Sequence, residues 1–77
     1  MHLMNPGSET PEELQSIERA CVAKFKEKAA ELRAADPTLS MEFAIVKACY
    51  ALPKTMERYC YIRNRLGYMG IGAIPLR

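Results

Sequence analysis

Histidine is almost missing from this chain, and with it goes the commonest means of acid–base catalysis. His2 is the single one, and it sits in a leader whose Asn5-Pro6-Gly7-Ser8 run is built of turn formers rather than of a packed element. There is no Cys-x-x-Cys, no His and Cys set with metal-ligand spacing, and no glycine-rich loop ahead of a helix. A zinc site and a phosphate cradle are therefore not expected. The acidic pair Glu12-Glu13 is accounted for by a helix N-terminus, where negative charge is favourable. The expectation is a protein that is not an enzyme, with no cofactor and no metal.

Long apolar runs are missing too, since none approaches the roughly eighteen residues of a membrane span. Residues 1–5 lack the pattern of a secretory signal, and Cys21, Cys49 and Cys60 are odd in number and widely spaced. Thiols of this kind act as small buried hydrophobes in a reducing compartment, so a cytoplasmic protein is expected. The composition, 49% hydrophobic and 26% charged, is that of a soluble globular chain. A single domain of 77 residues holds only a modest core. Self-association, a dimer first of all, is the expected source of further burial.

What is present reads as helix. Thr10-Pro11-Glu12-Glu13 combines a capping hydroxyl, proline at the first helical position and a glutamate three residues after the cap. From 11 to about 35, Leu14, Ile17, Cys21, Phe25, Ala29 and Leu32 recur at helical spacing and form one stripe, with Lys26, Arg33 and the glutamates assigned to the opposite face. Asp36-Pro37 ends this helix, because the residue before proline is driven out of the α region. Ser40 caps a second helix over 41–51 that is apolar on nearly every side apart from Glu42 and Lys47, and such a helix is expected to be central and buried. Pro53 opens a third helix running to Leu66, with Gly67 as its left-handed cap. The fold class is all-α: a leader over 1–9, a three-helix domain over 10–67 and an apolar tail over 68–77. Tyr68, Met69, Ile71, Ile74 and Leu76 make that tail too apolar for a free end, so it is expected to pack or to bind a partner, and its removal from residue 70 on to leave the helices intact.

Charge is divided unevenly along the chain. Residues 1–40 carry five cations against seven acids, and residues 41–77 carry six cations against two acids, so the second part is basic by four. On the third helix Lys54, Arg58, Tyr61 and Arg65 share one narrow sector, while Met56, Tyr59, Cys60, Ile62 and Leu66 share the opposite one. Arg63 points into the apolar sector, where its guanidinium requires a carboxylate from the first helix, an acidic group on a partner, or an escape to solvent.

Leu52-Pro53-Lys54-Thr55-Met56-Glu57-Arg58, with Leu66-Gly67-Tyr68-Met69 behind it, resembles the turn and recognition helix of some winged helix-turn-helix repressors. The resemblance covers less than a quarter of the chain. It departs from that pattern at Ala51, where such turns prefer glycine, in a turn shorter by one residue, and in a longer first helix. It implies DNA binding through helix 53–66. The residues themselves favour a small protein-binding module, an adaptor or inhibitor of the kind mobile elements encode, acting as a helical dimer. Its docking surfaces are the Lys54, Arg58, Tyr61 and Arg65 face and the 68–76 tail.

Overall fold

A computed structural model describes residues 9–75. The leader up to residue 8, including His2, and the tail residues Leu76 and Arg77 lie outside the described residues. The chain forms three α-helices, α1 Pro11–Ala35, α2 Met41–Ala51 and α3 Pro53–Tyr68, and no strand among the described residues. Each start follows from its cap. Thr10 Oγ1 accepts from the Glu13 amide at 3.2 Å, and Ser40 Oγ accepts from the Phe43 amide at 3.1 Å. Between α1 and α2, Asp36 leaves the helical region and its carboxylate accepts from the Thr38 amide and hydroxyl, which holds its carboxyl below the usual value. Arg33 Nε donates to the Leu39 carbonyl at 3.1 Å and ties the turn to α1.

Both α2 and α3 pack on α1, and they touch each other only sparingly. A single residue, Leu52, separates them. Its backbone is pushed out of the helical region by Pro53, yet its amide still reaches the Ala48 carbonyl and its carbonyl still accepts from Met56. The result is a helical hairpin whose return arm is interrupted once. The first part of that arm covers the C-terminal half of α1, where Ala29 meets Ala44, Ile45 and Ala48, with Leu32, Leu39 and Cys49 at the edge. The second part covers the N-terminal half, where Leu14 meets Ile62 and Leu66, with Ile17 and Ile71 beside them. Phe25 and Tyr59 meet between these clusters, edge to face, with ring centres 5.6 Å apart.

A hairpin has one seam and no third layer, and this overturns the expectation that α2 is buried. Its small residues, Ala44 and Ala48, face α1, whereas Phe43 is 65% exposed, Val46 49% and Tyr50 84%. The radius of gyration, 14.0 Å, exceeds the roughly 11–12 Å of a compact domain of this length. The accessible surface is 5512 Å², against about 4,700 Å² for a compact monomer of this mass. The outer faces of the arms are left uncovered.

The end of α3 also differs from expectation. Gly67 remains helical, and the left-handed residue is Gly70, at φ 76°. The Ile71 amide reaches back to the Leu66 carbonyl and the Gly70 amide to that of Gly67, both at 3.0 Å. This is the Schellman arrangement, and its usual apolar contact is made by Ile71 packing with Leu66. Two glycines stand three residues apart, and the one that lets an isoleucine regain the core is the one used.

Candidate interaction surfaces

The sequence-derived basic face is only partly a free surface. Lys54 and Arg58 are exposed, and with Lys24 of α1, Thr55 and Cys21 they line a hollow of about 140 Å³ between the arms. Among the described residues no carboxylate lies within ion-pairing range of these three cations. Tyr61 instead turns its hydroxyl to the Glu9 carboxylate, donating at 3.0 Å. Arg65 is half-buried, and its Nε is enclosed without a hydrogen-bond partner. The four residues thus share a helix face but not one environment.

The tail divides as well. Tyr68 is 88% exposed and Met69 is exposed, while Ile71 and Ile74 are half-buried. Because Ile71 joins the core, cutting the chain at residue 70 would remove part of the fold, contrary to the expectation of a dispensable tail. Leu76 lies outside the described residues.

Arg63 finds its carboxylate on the first helix. Its Nη1 donates to Glu18 Oε2 at 2.9 Å, and its Nη2 donates to the Ile71 carbonyl at 2.9 Å. Glu18 belongs to the buried face of α1, not to the solvent face with the other glutamates. Its side chain is 1% exposed and its Oε1 has no partner. The signal was in its phase, since 18 lies four residues after Leu14 and four before Val22, both buried. Glu18 also helps burial to raise the Tyr59 hydroxyl above its ordinary value. One guanidinium therefore joins α1, α3 and the segment after α3.

The surface sequence reasoning missed is the outer side of α2. Phe43, Val46, Lys47 and Tyr50 fall at i, i+3, i+4 and i+7, a continuous exposed stripe opposite Ala44, Ile45 and Ala48. Apolar positions on both sides of a helix were visible in the sequence. What decided their fate was the absence of an element to cover the second side.

The thiols were expected to be buried together, but they grade outward: Cys21 is buried, Cys49 half-buried and Cys60 exposed. Cys60 lies at the edge of the inner sector of α3, and α2 does not reach over to cover it. Burial raises the Cys21 thiol against the pull of Arg58 and Lys24, and burial also raises Cys49, with a contribution from Cys60. Alkylation of the native chain with iodoacetamide, followed by mass spectrometry, is expected to modify Cys60 first and Cys49 more slowly. Cys21 should resist until the chain unfolds, and equal rates at Cys21 and Cys60 would show an open seam.

No group of three or more potential metal-ligating side chains occurs among the described residues, and no helix is long and apolar enough to cross a membrane. Comparison with family models, curated proteins and solved structures gives no match. What the fold defines is a small all-α protein of three packed helices.

Proposed function

We propose that this chain is a non-enzymatic protein-binding module of the adaptor or inhibitor kind that works as a helical dimer. The observation that carries this reading is the uncovered stripe of Phe43, Val46 and Tyr50, large side chains set outward on a helix whose inner side is built of alanines. Contiguous apolar surface on a small soluble domain commonly marks an interface. Tyr68 and Met69, at the far end of α3, provide a second exposed apolar contact for a different partner.

A specific observation favours a second reading, in which α3 binds nucleic acid. Lys24, Lys54 and Arg58 gather around one hollow without a carboxylate partner, an arrangement suited to backbone phosphates. One pair of measurements separates the two readings. Sedimentation of the full chain from about 1 to 500 μM should show reversible self-association, and titration with duplex DNA at low salt should give no retention. A chain that stays monomeric and retards DNA with a steep salt dependence would replace the first reading with the second.

A further inference from the structure

We propose that the outer stripe of α2 is covered by α2 of a second copy of this chain, with the two helices parallel. The proposal rests on the dimer reading above and deepens it by naming the face, the direction and the register. With Phe43 at position a of a heptad, Val46 falls at d and Tyr50 at the next a, while Glu42 takes g and Lys47 takes e. The residues that pack on α1, Ala44, Ile45 and Ala48, occupy b, c and f on the other side. One short helix thus carries two seams, one filled within the chain and one left open.

Charge supplies the direction. In a parallel pair the g residue of one helix approaches the following e residue of the other, so Glu42 of one copy faces Lys47 of its partner, and the symmetry axis repeats the contact. Phe43 then meets Phe43, Val46 meets Val46 and Tyr50 meets Tyr50 along the middle. In an antiparallel pair centred on the same stripe, Phe43 would oppose Tyr50, the two Lys47 side chains would be brought toward each other, and Glu42 would be carried away from Lys47. The only acid and the only base bordering the stripe are complementary in one direction and not in the other. A second copy also provides what the hairpin lacks, a layer across α2 opposite α1. An eleven-residue helix is about 16 Å long. A contact of that length falls below the roughly 800 Å² per partner of a standard interface, so association in the micromolar range is expected.

The test is a charge-reversal cycle on the full chain, read by sedimentation, with helicity followed by circular dichroism. Glu42→Lys and Lys47→Glu should each weaken the dimer by about 3- to 10-fold, and the double reversal should restore it to within about threefold of the parent. Phe43→Glu, a change at an exposed position, should give a monomer of unchanged helicity. A dimer that ignores all of these variants, or one weakened further by the double reversal, would overturn this inference while leaving the dimer reading standing. A parent chain that is monomeric throughout would overturn both.

Discussion

Replacing Arg63 with alanine is expected to cost about 3–5 kcal/mol, most of what a domain of this size has to lose. Glu18 is fully enclosed, and Arg63 is the residue that neutralises it, through a single contact at 2.9 Å. Without the guanidinium, a carboxylate is left inside an apolar seam with neither water nor a cation, and the Ile71 carbonyl loses its donor at the same time. The damage should spread to both helices and to the segment after α3. Urea unfolding followed by circular dichroism measures it, and a loss below about 1 kcal/mol would mean that water reaches Glu18. Changing both partners together, Glu18→Met with Arg63→Met, should recover most of the stability, because two thioether side chains fill the space without a charge to bury. The pair is thus expected to matter less for net stability than for fixing which residues of the arms meet.

Phe25→Ala should cost about 3–5 kcal/mol by a different route. Phe25 is fully buried at the middle of the hairpin, between the cluster around Ala29 and the cluster around Leu14. Truncation leaves a cavity and removes the edge-to-face contact with Tyr59, itself worth about 0.5–1.5 kcal/mol beyond area. The arms are held on one side only, so no third layer can collapse into the gap. Phe25→Leu should retain most of the stability, because the volume is largely kept. Thermal melts of the two variants provide the comparison, and equal losses would indicate that the ring's shape matters more than its volume.

The local rules of the chain were legible because they act over a few residues. Thr10 and Ser40 cap where their hydroxyls stand ahead of a helical pattern, Asp36-Pro37 and Leu52-Pro53 interrupt the helix by backbone sterics, and both effects are observed. The requirement of Arg63 for a carboxylate from the first helix was readable as well, from its phase among Tyr59, Ile62 and Leu66. The identity of that carboxylate was not taken up, because a glutamate on a charged helix reads as solvated unless its position is compared with Leu14 and Val22. The exposure of α2 lay further from reach. Composition reports that a helix has two apolar sides, but whether the second is covered depends on how many elements arrive there. Of the candidate site, Lys54, Arg58, Tyr68 and Met69 lie at the surface, whereas Tyr61, Ile71 and Ile74 are engaged within the fold to different degrees. Helical phase gives a direction around one axis and says nothing about what another segment places there.

The meeting of Leu14 with Leu66 and Ile71, and of Glu9 with Tyr61, gives the molecule a polarity. The chain enters and leaves its described structure at one pole, while the Asp36 turn and the start of α2 form the other. An extension, label or fused domain joined at either end of this structure emerges on the same side, away from Phe43. The α2 stripe therefore stays accessible in constructions that would block a surface near the termini.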